Sequence, residues 1–283
     1  MPELANVNGK IVPIHEAMVP AEDRGNLFGD GVYEVLRAYG GRLWGYARHW
    51  KRLERSLQEI DMRNVDLDRI DRWVRETYSQ CGIADATIYF HITRGVAPRS
   101  HSWGDTLVPT FLMTVRPFVS RDQGNEVGIK AITVKDQRWG RCDIKSLNLL
   151  PNVLAKQQAR TQQAYEAVLV DRDGRVVEGT SCAVLCLIDG TLCAPPADST
   201  AILPSITRQF VQEIAENLHI PFRQTFVPLA EFYAADEAFV AGTGDEIMGI
   251  TRLDGRPIGS GQMGSQTRRI YEEYRKRIGK KQD

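Results

Sequence analysis

Residues 141–150 of the chain read RCDIKSLNLL, and residues 151–157 continue PNVLAKQ. This stretch predicts that Lys145 lies at the end of an apolar strand and just ahead of a helix. The helix is expected to begin near Pro151, because a proline ring suits the first helical turn. A lysine at such a junction can point into a cleft and lose hydration, which lowers the pKa of an amine and favours its attack on an aldehyde. Most lysines are solvated surface charges, so the pattern alone is a weak sign of catalysis.

The sequence before this stretch alternates between strand and helix patterns. Residues 32–39 are rich in β-branched and aromatic types and predict a strand, with Gly40-Gly41 as a hairpin signal. Apolar residues recur at three- and four-residue steps around Trp50–Ile60 and again over about 68–80, which predicts two amphipathic helices. Residues 86–93 and 109–115 are further strand candidates.

The composition changes after Pro117. Residues 120–125 are polar and predict a linker. Beyond it we expect strands near 127–134, 167–171 and 183–188, a helix that Ser205 caps, and a last helix over about 264–278. The pattern favours an α+β or α/β protein with a small N-terminal α/β domain over 1–119, a linker over 120–125 and a larger C-terminal domain over 126–283.

Composition excludes several classes of function. Thirty-six basic and thirty-six acidic side chains cancel, so no overall charge attracts the chain to nucleic acid or to an anionic membrane. The five cysteines are odd in number and have no CxxC spacing, which argues against a disulfide framework or a metal site. The chain shows no signal-peptide pattern and no long apolar run, so we expect it in the cytoplasm.

The lysine stretch, with VLAKQ at 153–157, closely resembles the lysine segment of D-amino-acid aminotransferases. These are class IV, fold-type IV enzymes that use pyridoxal 5′-phosphate (PLP), and the resemblance covers nearly the whole chain. It implies that Lys145 holds PLP as a Schiff base. It also implies that Lys145 later moves the proton between the substrate Cα and the cofactor C4′.

The resemblance also assigns the remaining cofactor contacts, which the C-terminal domain largely supplies. Glu178, within VEGTS at 177–181, reads on its own as a turn acid. In the family this carboxylate partners the pyridine nitrogen and keeps it protonated, which makes the ring a better electron sink. The helix that begins after Ser205 offers N–H groups to an anion. The implied phosphate and ring contacts are Arg52, Leu203, Ile206, Thr207 and Thr243.

Tyr33, Arg99 and His101 match the residues that bind the substrate α-carboxylate in D-amino-acid aminotransferases. The resemblance implies a homodimer in which the Arg-x-His pair reaches in from the neighbouring subunit. The side on which the carboxylate is anchored decides which enantiomer presents its Cα–H to the lysine, so these residues favour D-substrates. Gly242 and Gly244 depart from the family pattern around Thr243, and they could widen the substrate side of the site.

We therefore expect ping-pong transamination between a D-amino acid, such as D-alanine, and a 2-oxo acid, such as pyruvate or 2-oxoglutarate. An (R)-amine transaminase and a branched-chain L-amino-acid aminotransferase are the nearest alternatives. An aminodeoxychorismate lyase and a non-catalytic PLP-binding protein are more distant ones.

Overall fold

A computed structural model describes residues 3–118 and 127–279. The chain divides into two compact units. Ile144–Asn148 belongs with the first unit, together with residues up to 118, whereas the rest of the described chain forms the second. No helix within the described ranges has the length and apolar character needed to cross a membrane. The predicted linker, 120–125, lies outside the described residues.

Unit 1 is built on a six-stranded sheet in the order β2-β1-β6-β5-β3-β4. The pairings described between these strands are antiparallel. Its elements are β1 (Leu4–Val7), β2 (Lys10–Pro13), a 3₁₀ helix (Ile14–Glu16), α1 (Arg24–Phe28), β3 (Gly31–Tyr39), β4 (Arg42–Leu43), α2 (Tyr46–Glu59), α3 (Leu67–Cys81), β5 (Ala86–Thr93) and β6 (Thr110–Pro117).

Period-two alternation explains the core of unit 1. Val32, Leu36 and Phe90 project to one face of the sheet, where they are buried with Leu53 of α2 and Val74 of α3. The predicted strand and hairpin at 32–41, the two predicted helices and the strand at 86–93 are confirmed. The sixth strand begins and ends slightly later than expected.

Unit 2 contains a ten-stranded mixed sheet. Its path is β12-β11-β10-β14-β15-β7-β8-β9-β13, and β16 pairs with β15. The elements are β7 (Ile129–Lys135), α4 (Leu150–Thr161), β8 (Glu166–Val170), β9 (Arg175–Glu178), β10 (Ala183–Ile188), β11 (Thr191–Ala194), α5 (Ile206–Asn217), β12 (Phe222–Gln224), β13 (Val227–Pro228), α6 (Leu229–Tyr233), β14 (Glu237–Gly242), β15 (Glu246–Leu253), β16 (Arg256–Pro257) and α7 (Ser265–Gly279).

Local chemistry sets the helix starts in unit 2. Pro151 lies in the first turn of α4, where a missing N–H does no harm. Ser205 caps α5, since its side chain accepts a hydrogen bond from the Arg208 N–H at 3.2 Å. Both helices and the last one, α7, are confirmed, and so are the three strands predicted in this part and the overall α+β class.

The prediction that Lys145 ends a strand is wrong. Residues 141–149 form turns and irregular chain, with one isolated bridge between Ser146 and Val32 of β3. Asp143, Ser146 and Asn148 also interrupt the apolar pattern that a buried strand would show. This contact with β3 also explains why Ile144–Asn148 falls in unit 1, although the domain boundaries from the sequence assign it to 126–283.

Gly95→Ala should destabilise the protein more than the matched change Gly40→Ala. Both glycines have positive φ, at +110° and +54°, so both substitutions strain the backbone. A Cβ at Gly95 would lie 2.0 Å from the Val108 carbonyl oxygen, whereas a Cβ at Gly40 meets nothing within 4 Å. We expect Gly95→Ala to lower the free energy of unfolding by about 1–3 kcal/mol more, measured by urea denaturation. Equal losses in the two variants would contradict the close approach.

Candidate active site

The segment that carries Lys145 is held by the start of β3 and by α2. The Tyr33 N–H donates to the Lys145 carbonyl at 2.9 Å, and the Leu147 N–H donates to the Gly31 carbonyl at 3.1 Å. The Lys145 N–H donates to Ser56 Oγ at 3.3 Å. Nζ of Lys145 lies 4.2 Å from the centroid of the Tyr33 ring. The fold therefore fixes the lysine backbone on both sides and places the Tyr33 ring beside its amine.

Arg52 is part of a buried charged cluster. Its Nε and Nη2 donate to the two carboxylate oxygens of Glu34 at 2.7 and 2.8 Å, and Nδ1 of His49 lies 2.8 Å from Glu34 Oε2. Burial would raise the pKa of Glu34, but the charge of Arg52 and the hydrogen bonds hold it well below its ordinary value. Burial lowers the pKa of His49, and the charges of Arg52 and Lys145 act in the same direction, while Glu34 opposes it. At neutral pH the cluster is thus an ion pair with a neutral imidazole.

The opposite face of the unit 1 sheet carries polar aromatic residues. Tyr33 pairs with His91 across β3 and β5, and the Tyr33 and Tyr89 rings lie 5.7 Å apart. The Tyr89 hydroxyl lies 3.0 Å from Nδ1 of His91. Burial, with a smaller effect of Tyr33, raises the pKa of Tyr89 to about 12. Burial also lowers the pKa of His91, although Asp23 acts in the opposite direction.

Arg99 and His101 lie on an exposed loop between β5 and β6. The Arg99 guanidinium is 5.3 Å from the centroid of the Phe28 ring, and the His101 ring is 5.4 Å from it. The two predicted substrate residues therefore share one aromatic neighbour at the end of α1.

Glu178 is the most tightly held of the predicted residues in unit 2. One carboxylate oxygen accepts a hydrogen bond from Arg138 Nη1, and the other accepts the Leu203 N–H at 3.1 Å. Arg138 also grips Asp136, with Nη2 donating to Asp136 Oδ2 at 2.9 Å, and donates to the Ala201 carbonyl. Burial disfavours the Arg138 charge, but bonds to Asp136 and Glu178 raise its pKa. These two donors fix the position of the carboxylate, and a carboxylate suits a cationic N–H partner such as a protonated pyridine nitrogen.

The predicted phosphate residues in unit 2 lie at a helix start and in a tight turn. Ile206 and Thr207 form the first turn of α5, whose N–H groups have no intrahelical acceptor. The helix dipole makes this end attractive to an anion. Thr243 lies in the turn from β14 to β15, which the Asp245 N–H closes by donating to the Gly242 carbonyl. A Cβ at Gly244 in the same turn would meet nothing within 4 Å, so packing does not require glycine there.

Glu166, Cys182 and Asp245 form a buried group with ligand atoms within 4.8 Å of one another. Their oxygens already have partners. Thr180 Oγ1 and Lys156 Nζ donate to Glu166 at 2.5 and 2.9 Å, and the Tyr165 hydroxyl donates to Asp245 at 2.5 Å. These bonds hold the chain that follows Glu178, and Lys156 balances the buried charge of Glu166.

The fold thus groups the predicted residues into two sets. Direct contacts join Lys145 to Tyr33 in unit 1 and Glu178 to Leu203 in unit 2. The sequence did not reveal the supporting residues Arg24, Glu34, His49, Tyr89, His91 and Arg138. An acid at an inward position of β3, Glu34, was the one signal that could have been noticed.

The chain resembles known proteins over almost its full length. A family model described as amino-transferase class IV matches residues 31–253. D-alanine aminotransferase of Staphylococcus epidermidis is 38% identical over 278 residues, which cover 96% of each chain. The branched-chain amino acid aminotransferase of Escherichia coli superposes with a TM-score of 0.91 at 24% identity, over 100% of this chain and 97% of that one. The branched-chain aminotransferase of the archaeon Thermoproteus uzoniensis, solved with norvaline, superposes with a TM-score of 0.87 at 29% identity, over 97% and 94% of the two chains.

Acid should destabilise the protein partly through His91. Its folded pKa lies below the ordinary 6.5, so the unfolded chain binds the proton first. The stability that the neutral imidazole contributes is complete above about pH 6.5 and is lost as the pH falls below it, by at most about 1.4 kcal/mol per pH unit. When the pH is lowered from 7.5 to 5.5, we expect the thermal midpoint of His91→Gln to fall by less than that of the wild type. The exposed His15→Gln variant is the control and should behave as the wild type; identical losses in all three proteins would contradict the argument.

Proposed function

The chain belongs to the class IV aminotransferase family, and on that premise we propose that it is a PLP-dependent D-amino-acid aminotransferase. Membership also confirms the predicted fold-type IV architecture. The proposed reaction moves an amino group between a D-alanine-like amino acid and a 2-oxo acid such as pyruvate or 2-oxoglutarate. The relative from S. epidermidis, a D-alanine aminotransferase that matches over nearly the full chain, supports this substrate class.

The observation that carries the proposal is the position of Lys145. Its backbone is fixed to β3 and α2, and its amine lies against Tyr33, a predicted carboxylate-binding residue. When bound, PLP supplies an aldehyde that bonds to amines and a ring that accepts electrons from the substrate Cα. Lys145 would hold the cofactor through its aldehyde, and its Nζ would be the group that takes up and gives back a proton during transfer.

Glu178 would act on the ring nitrogen. Its carboxylate, which Arg138 and the Leu203 N–H hold in place, is proposed to accept a hydrogen bond from that nitrogen. The Leu203 side chain is proposed to pack on the ring. Since Leu203 also donates to Glu178 through its backbone, one residue would align the ring and its charged partner.

The proposed phosphate donors are the first N–H groups of α5 at Ile206 and Thr207, the Thr207 and Thr243 hydroxyls, and Arg52. The two bonds from Nε and Nη2 to Glu34 orient the Arg52 guanidinium, which is proposed to grip the anion.

Tyr33, Arg99 and His101 are proposed to bind the substrate α-carboxylate. A phenol, a guanidinium fork and an imidazole together offer several donors to two oxygens. Arg99 and His101 are exposed, which suits the proposal that they act across the interface of a homodimer. The homodimer and the cytoplasmic location stay predictions.

A panel of amino donors tests the substrate class. We expect D-alanine, but neither L-leucine nor (R)-1-phenylethylamine, to change the visible absorbance of the enzyme-bound cofactor rapidly. Lys145→Ala should remove the covalent attachment and nearly all turnover, whereas Lys130→Ala, at an exposed position on β7, should be unchanged. Conversion of L-leucine without conversion of D-alanine would replace the proposal with a branched-chain activity.

Glu178→Gln should separate binding from chemistry. The substitution keeps the shape of the side chain but removes the charge that favours a protonated ring nitrogen. We expect the visible band of bound PLP to persist while kcat falls roughly 100-fold, the scale on which one preorganised electrostatic partner acts. Glu213→Gln, which removes the ion pair with Arg277, is the control. Unchanged kcat in Glu178→Gln would remove Glu178 from the mechanism.

A further inference from the structure

One buried guanidinium holds the backbone of the loop that carries Arg99 and His101. Nη1 of Arg24 donates to the Ser100 carbonyl at 2.6 Å and lies 3.4 Å from the Ser102 carbonyl. Nη2 donates to the His101 carbonyl at 3.1 Å. The Arg24 side chain is 3% exposed, whereas the loop residues that it binds are exposed. Arg24 thus holds the loop through the backbone carbonyls of three successive residues.

Arg24 is itself held in place from several directions. Its Nε donates to Asp30 Oδ2 at 2.7 Å, and the same oxygen accepts Arg94 Nε at 2.9 Å. Arg94 is in turn bonded to the Ile60 carbonyl at 2.7 Å, just after α2. The Arg24 guanidinium also lies 4.9 Å from the Phe28 ring. Asp30 and Arg94 therefore connect the loop to the rigid part of unit 1.

Phe28 provides a second support, which contacts the side chains of the loop. Its ring contacts Arg24 and also lies beside Arg99 and His101, at 5.3 and 5.4 Å. Arg24 thus fixes the carbonyls while Phe28 limits where the two side chains can go.

An exposed loop of small and polar residues is ordinarily mobile. Ordering each residue costs about 1–2 kcal/mol of conformational entropy, and a substrate that orders the loop itself binds more weakly by that amount. Three bonds from one planar guanidinium can order the loop before the substrate binds. Lysine cannot reproduce them, since an ammonium lacks the planar fork.

We propose that Arg24, oriented by Asp30, is a positioning residue that preorganises the Arg99–His101 loop for the substrate α-carboxylate. The inference rests on the proposed function, because it takes Arg99 and His101 as carboxylate-binding residues. Arg24 acts through the loop backbone and does not touch the substrate.

The test compares Arg24→Lys and Arg24→Met with the wild type and with Arg75→Lys. Arg75→Lys is the control at an exposed arginine, whose guanidinium also bonds an aspartate, Asp71 at 2.8 Å, and lies 4.5 Å from the centroid of an aromatic ring, Tyr46. For both Arg24 variants we expect the KM for D-alanine to rise about tenfold or more, the loss that one or two hydrogen bonds represent. We expect kcat to change less than about threefold, with PLP affinity close to wild type. Amide hydrogen exchange should accelerate in residues 99–104 alone.

A second measurement asks whether Arg24 acts through Arg99. In an Arg99→Met background, Arg24→Lys should raise the KM little further, whereas additive effects would mean that Arg24 acts elsewhere. Unchanged KM and unchanged exchange in the Arg24 variants would overturn the inference. So would a fall in PLP affinity together with faster exchange throughout unit 1, which indicates a purely structural residue.

The substrate assignment can fail separately. If the wild type converts L-leucine and not D-alanine, the proposed function is wrong. The loop inference is then judged by the KM for L-leucine together with the exchange of residues 99–104. An unchanged KM for L-leucine in the Arg24 variants would overturn the loop inference in that case too.

Discussion

Two backbone hydrogen bonds between β3 and the segment Ile144–Asn148 set the geometry on which the proposed chemistry depends. β3 pairs with β5 from Gly31 to Ala38, but on its other edge β4 covers only Ala38 and Tyr39. The lysine segment pairs with the opposite end of that edge, at Gly31–Tyr33. An unpaired strand edge offers N–H and C=O groups to any partner, so the pairing satisfies β3 and fixes an irregular segment at the same time. The proposed Schiff-base lysine thus has a fixed backbone without belonging to a strand.

Periodicity predicted the regular elements because most of them bury one face. The bounds of Ala86–Thr93 and Ala183–Ile188 were read correctly from the sequence, since strand patterns of six to eight residues stand out. Short elements such as α1 and β16 escaped, because five or two residues carry no measurable period. The segment around Lys145 was assigned to a strand from its apolar neighbours, but long-range pairing with β3 decides its conformation.

Only the candidate site residues that the family resemblance names could be predicted from the sequence. The resemblance named Lys145 and Glu178, but not the side chains that hold the site in shape. Those supports are long-range: Arg52 bonds Glu34 across 18 positions, Arg138 bonds Glu178 across 40, and Arg24 bonds Ser100 across 76. No local pattern encodes such pairs. Glu34 is the exception, since an acid between the inward residues Val32 and Leu36 must find a buried partner.

The buried ion clusters also differ in net charge, in a way that matches their proposed partners. Glu34 and Arg52 balance each other, so this pair adds no net charge for the proposed phosphate. Arg138 lies between two carboxylates, Asp136 and Glu178, which leaves one negative charge where a cationic ring nitrogen is proposed. Asp30 lies between two guanidinium groups, Arg24 and Arg94, which leaves one positive charge beneath the loop that would bind a carboxylate. Replacing a whole buried ion pair by well-packed apolar residues is often neutral for stability, so geometry and local charge are the better explanation for these clusters.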